Sequence, residues 1–283
     1  MLKKQFIITG VGLALVLLLY KFGSTVAQKS KTDSPVAISP AKTFDIHHFI
    51  DDEKKHLTAS QLVYLGKLEN SVTRGDVNSQ LVTANTQLAN FWKDSARSFE
   101  AYVYYLSEAA KLDKSEKNLT FAAQLILDNL RREQDEAKLS WKTEQAIALF
   151  EKAIELNPDN DDLKVGLGSC YVFGKGRVGG PEETMEGIKK LLDVVRKDSN
   201  NMKAQMMLGV GGYVSGQYDK AIERLQKVIT AQPDNLEAIA FLADTYAAKG
   251  DKAEAIKWYT ISRRLVNDPH YSKEVDERIK SLR

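Results

Sequence analysis

The sequence predicts an all-α protein, a solenoid of helical hairpins behind an N-terminal membrane helix. Three observations carry this. The chain repeats itself at a fixed interval, it holds only six prolines in 283 residues, and an uncharged apolar run follows two lysines at its start. A repeat interval of a few tens of residues means supersecondary units stacked on their neighbours, because one such unit cannot bury its apolar face alone.

The repeat is clearest between Met202 and Asn267. Leu208 and Leu242 lie 34 residues apart, as do Gly209 and Ala243, Gly216 and Gly250, Ala221 and Ala255, and Pro233 and Asn267. Inside the unit the spacing describes two short helices. Leu208 and Gly209 belong to the first, and Ala221, Leu225 and Val228 to the second. Gly216 stands where a helix ends in a left-handed residue, and Pro233 where a helix cannot continue. The next unit repeats the pattern with Leu242, Ala243, Tyr246, Gly250, Ala255 and Tyr259. This resembles the tetratricopeptide repeat, in which small residues let two antiparallel helices approach closely, and specifically its membrane-anchored bacterial type. The resemblance implies a right-handed superhelix whose concave face is lined by the first helix of each unit and holds a protein or peptide.

Upstream, Asn157 to Asn160 parallels Gln232 to Asn235, and Leu167, Gly168 and Tyr171 fit another first helix. Gly168 and Gly209 are 41 residues apart, seven more than the interval. The extra residues are placed in the turn, at Gly174 to Gly180, because Gly187, Leu191 and Val194 are back in phase with Ala221, Leu225 and Val228. Ala146, Phe150, Ala153 and Pro158 form a further second helix, whose first helix is expected over Thr120 to Arg132 with a lengthened link through Gln134 to Ser140. A degenerate unit covers Leu81 to Lys114. Residues 119–269 are therefore expected to form the array and residues 44–118 an N-terminal helical region. Phe44, Phe49, Ile50, Leu57, Leu62, Leu65 and Leu68 there give one or two helices covering the first repeat, and Tyr271 to Leu282 gives a C-terminal capping helix over 270–283.

Composition bounds the function. Hydrophobic residues at 43% and charged ones at 28% suit a chain with a sizeable core. Lys and Arg number 40 against 38 Asp and Glu, and that balance argues against a nucleic-acid binder, which shows a basic stripe. The single cysteine, Cys170, forms neither an internal disulfide nor a cysteine metal cluster, and reads as a small packed residue. Lys3 and Lys4 precede Phe6 to Tyr20, fifteen residues free of charge. As a helix that run spans about 22 Å, short of the roughly 30 Å hydrocarbon core. A cleaved signal peptide, a retained signal anchor and a buried helix compete. The expected reading is a single-pass anchor within residues 1–27 and a Ser, Thr, Lys and Pro tether over 28–43, with the bulk periplasmic or extracytoplasmic. Lysines on both sides of the run nearly cancel the positive-inside bias.

Few residues suggest chemistry, and no cofactor is implied. Gly174 to Gly179 matches G-x-G-x-x-G literally, but a dinucleotide site needs that string between a strand and a helix, and here a helix precedes it. It is read as a flexible insertion with Lys175 and Arg177 exposed. His47, His48, Asp52 and His56 include two pairs four residues apart that share one helical face, so a metal-binding enzyme using them is one alternative. A solvated face rich in Asp and Lys produces the same pattern. Arg74 to Asp76 and Asn118 to Thr120 match an adhesion and a glycosylation motif too short to carry weight. No nucleophile elbow or Walker loop occurs, and the chain is not expected to be an enzyme.

The groove remains. Positions that line the concave face in the repeat family fall here on Asp162, Val165, Ser169, Val172 and Phe173, then Lys203, Met206, Val210, Tyr213 and Val214, then Glu237, Ala240, Asp244, Ala247 and Ala248. Of these, Val165, Ser169, Val172, Phe173, Met206, Val210, Tyr213 and Asp244 are the candidate protein-binding residues. Methionine beside valine and aromatics makes an adaptable apolar surface. The expected function is a membrane-tethered scaffold for protein–protein interaction in envelope complex assembly. A self-assembling structural protein, whose groove takes a neighbouring copy, is the second alternative.

Overall fold

The computed structural model describes residues 43–73, 77–266 and 268–283, and among these every regular element is helical. The expected anchor and tether and the Arg74 to Asp76 motif lie outside the described residues. Among the described residues the first four helices are α1 (Ile46–Lys54), α2 (Ala59–Thr73), α3 (Asn78–Asp94) and α4 (Phe99–Asp113). Next come α5 (Glu116–Leu130), α6 (Glu136–Leu156) and α7 (Asp161–Cys170). The chain runs from α7 through a π-helical turn, Tyr171–Lys175, into the short α8 (Gly176–Gly179). Then follow α9 (Pro181–Lys197), α10 (Met202–Val214), α11 (Tyr218–Ala231), α12 (Leu236–Lys249), α13 (Lys252–Leu265) and α14 (Pro269–Leu282).

The 34-residue interval is written in buried contacts. Leu208, Ala221, Leu225 and Val228, and their counterparts Leu242, Ala255, Tyr259 and Ser262, are all buried. Each unit opens on the same device. Asn160, Asn201 and Asn235 cap α7, α10 and α12, their side-chain oxygens accepting from Asp162 N at 3.0 Å, Ala204 N at 2.9 Å and Ala238 N at 3.0 Å. Gly216 and Gly250 close first helices with φ of +75° and +89°. A side chain in that conformation meets its own carbonyl, so Gly250→Ala should cost about 1 kcal/mol in chemical denaturation, and Gly250→Asn less.

Close helix contact depends on missing side chains. A Cβ on Gly209 would stand 2.7 Å from Leu225 Cγ, and one on Gly168, a unit earlier, 2.8 Å from Leu191 Cγ. Ala243 takes the place of Gly209 in the last unit, where Tyr259 stands at the position of Leu225.

Several boundaries differ from the sequence reading. The first helix expected at Thr120 begins at Glu116, and the link expected to run to Ser140 is already helical at Glu136, where Asp135 Oδ1 accepts from Lys138 N at 2.9 Å. The insertion is not a flexible turn. It prolongs α7 as π-helix and α8, because Gly174 and Gly176 permit contacts no side chain would: their Cβ positions lie 2.1 Å from Thr143 Oγ1 and from Thr184 Oγ1. Lys175 comes within 3.9 Å of Glu144, and Arg177 donates to Leu130 O at 2.6 Å and Glu133 O at 2.7 Å, capping the end of α5. The N-terminal region is more than a cover. Ile50, Leu65, Leu88, Phe91 and Trp92 make a second small core that meets the first at Tyr102 and Trp141. At the other end α14 buries Val275 and Ile279.

A buried cation pins the start of the array. Lys142 on α6 is 2% exposed, and its Nζ reaches Glu100 Oε1 at 2.9 Å, Glu133 Oε2 at 2.6 Å and Asn129 Oδ1 at 2.8 Å. It thereby ties α4, α5 and the α5–α6 link together. Burial pushes the Glu100 and Glu133 carboxyls up, but their bonds to Lys142 outweigh it and hold both below the usual glutamate value.

Candidate protein-binding groove

A cavity of about 570 Å³ opens along the inner side of α5, α7, α10 and α12. These are the first helices of four successive hairpins, and they face it because their lining residues recur at the helical period. On α5 the row is Thr120, Gln124, Leu127 and Arg131; on α7 it is Asp162, Val165, Ser169 and, past the helix end, Phe173. The floor is soft and apolar, made by Met202, Met206 and Met207 of α10 with Phe150 and Phe173. Gly166 admits the Phe150 ring, whose carbons lie 2.4 Å from the place of its absent Cβ.

Charges line the rim. Lys203 Nζ meets Asp162 Oδ2 at 2.8 Å across neighbouring first helices. Arg131, at the end of α5, pairs with Glu237 in the first turn of α12. Its guanidinium carbon lies 4.9 Å from the Phe173 ring centre and 5.5 Å from that of Phe241.

Four of the eight residues singled out from the sequence, Val165, Ser169, Phe173 and Met206, line this cavity. Val172 and Val210 do not; they are 0% and 1% exposed and belong to the core. For Val172 the cause is the π-helical turn, which shifts the register from Tyr171 onward and sets its Cγ2 3.2 Å from the Cβ place of Gly187. For Val210 it is the neighbouring Gly209, Gly211 and Gly212, which let adjacent helices close around it. Tyr213 is half-buried beyond the cavity, its ring 6.0 Å from Phe241 and 6.4 Å from Tyr218. Asp244 is engaged within the chain, accepting from Tyr259 OH and pairing with Arg278 of α14 at 2.8 Å. The α5 row and Arg131 were missed in the sequence, although Thr120, Gln124, Leu127 and Arg131, like the α7 row, are spaced three or four residues apart on one helical face.

The histidine cluster does not assemble. His47 lies edge-on to Tyr104 at 5.4 Å, His48 meets Asp52 at 3.3 Å, and among the described residues no three His, Cys, Asp or Glu side chains converge. Cys170 is buried, and burial pushes its thiol up, away from the reactive thiolate.

Family models described as tetratricopeptide repeat match residues 215–273 and 142–160. These segments are tetratricopeptide repeats. Of the cavity lining, Phe150, Gln232, Asn235 and Glu237 fall within the matched segments. Over 155 residues the chain is 26% identical to the BBSome complex member BBS4 of Bos taurus, covering 55% of this chain and 28% of that protein. Over 64 residues it is 38% identical to the putative cellulose synthase operon protein C of Escherichia coli O157:H7, covering 23% of this chain and 5% of that one. The chain thus spans only a minor part of either relative. Among solved structures, a thermophilic tetratricopeptide protein of Thermus thermophilus is similar with a TM-score of 0.51 at 17% identity, covering 71% of this chain and 98% of that one. That likeness concerns the fold alone.

Proposed function

We infer that this chain is a membrane-tethered scaffold, with no catalytic step of its own, that holds a segment of another protein in its concave groove during assembly of an envelope complex. The observation that carries the reading is the methionine-floored cavity built by four successive first helices. Its size falls in the range of sites that enclose a ligand, and thioether side chains repack around differing apolar groups at little cost. The membrane tether rests on the uncharged run Phe6 to Tyr20 behind two lysines. The BBSome relative, by its name, works inside a complex.

Crosslinking pull-down from native membranes tests this with wild type beside a Met206→Asp, Tyr213→Asp variant. Because Met206 is almost buried, Gln124→Arg on the exposed wall serves as a second variant that spares the core. The expected result is a partner captured by wild type and lost, by about tenfold or more, in both variants with helical content unchanged. Equal capture by all three would sink the groove reading. Capture of the chain's own copies alone would turn it toward self-assembly.

A further inference from the structure

The two cations of the groove are held differently. Lys203 pairs with the neighbouring first helix, whereas Arg131 pairs with Glu237 of α12, 106 residues along the chain. Close to the Phe173 and Phe241 rings, the guanidinium presents a planar fork of donors, which suits bidentate pairing with a carboxylate such as that of Glu237. Its backbone is fixed from behind, since Arg177 grips the carbonyls of Leu130 and Glu133 on either side of it. The carboxylate it holds is less secure. Arg131 and Glu237 are 38% and 42% exposed, and ion pairs so open to water are weak and exchangeable.

We propose that Glu237 is an internal stand-in on a carboxylate subsite at Arg131, and that the groove's partner is an extended, mainly apolar segment with one acidic side chain that replaces it. This rests on the groove reading above and adds the partner's chemistry. Apolar surface surrounds Arg131, with Phe173 and the methionines in the cavity and the Phe241 ring 5.5 Å from the guanidinium carbon, so the carboxylate belongs to a side chain within an apolar segment. A second acidic group is disfavoured. Asp128, one turn before Arg131, accepts from the neutral Gln124 amide at 2.7 Å and brings a negative charge to the lining, whereas Asp162 is already paired with Lys203.

The test is fluorescence anisotropy on the full chain in detergent micelles. The probes are end-capped nonapeptides of alternating leucine and serine whose central, inward-facing residue is Glu, Gln or Lys; a fourth carries Gln and a free carboxyl terminus. Wild type should bind the Glu peptide about fivefold more tightly than the Gln peptide and the Lys peptide most weakly. Glu237→Gln should tighten the Glu peptide about three- to fivefold and leave the Gln peptide unchanged. Arg131→Gln should erase the Glu preference, and so should most of it vanish in Arg131→Lys, which keeps the charge without the fork. Equal binding of the Glu and Gln peptides, a preference for Lys, tightest binding of the free-carboxyl peptide, or no binding by any protein overturns the proposal. Peptide binding that Met206→Asp abolishes but Arg131 and Glu237 variants leave untouched also overturns it, while the groove reading stands.

Discussion

Replacing Lys142 by methionine is expected to destabilise the protein by about 3–5 kcal/mol, read as a shift in the urea unfolding midpoint. The side chain keeps its length, so the loss is electrostatic. Glu100 and Glu133, each with a side chain 13% exposed, would share a pocket without a cation, and Asn129 would lose its partner. Removing one member of a buried ionic group costs more than the group contributes, because the remaining charges stay desolvated. Two further outcomes separate this from a packing defect. The triple variant Lys142→Met, Glu100→Gln, Glu133→Gln should recover at least half of the loss. The sign of the pH dependence follows from the depressed carboxyl values: in wild type the network's contribution is present above the ordinary glutamate value of 4.5 and fades as the pH falls toward the lower folded-state values. In Lys142→Met the carboxylates repel, so acidification relieves them and the gap to wild type should narrow by pH 4. A gap independent of pH would refute the ionic account.

Gly209→Leu is the second large effect, expected at about 3 kcal/mol. A Cβ alone would meet Leu225 Cγ at 2.7 Å, and three further carbons have nowhere to go between α10 and α11. Gly209→Ala should cost about 1 kcal/mol, since the matching site already carries Ala243 where Tyr259 replaces the leucine. Shortening the opposing side chain in Gly209→Leu, Leu225→Ala should restore part of the stability. A melting temperature unmoved by Gly209→Leu would mean that these helices are not in the contact described.

Much of the architecture was legible because its determinants are local and periodic. Leu208 with Leu242 and Ala221 with Ala255 mark buried helix contacts, and the glycines at 216 and 250 mark helix ends, all by spacing alone. The insertion misled for a physical reason. Four glycines in seven residues read as a flexible turn, yet here their lack of side chains admits Thr143 and Thr184, and those contacts fold the segment as helix. In the groove, Val165, Ser169, Phe173 and Met206 followed from the concave positions that the resemblance to the repeat family implies, while Val172 fell to a π-turn that no composition signals. Arg131 escaped notice because its role depends on Glu237, and no local spacing connects residues three hairpins apart.

That long connection has a mechanical consequence. A stack whose units touch mainly their neighbours behaves as a coil spring, with its pitch free to widen or narrow as small tilts accumulate from hairpin to hairpin. Tying the end of α5 to the start of α12 straps the first and last turns of the inner coil together. While the pair holds, it adds a brake on stretching of about 1 kcal/mol at most; when a competing charge lifts it, the same hairpins lose that brake with their core contacts in place.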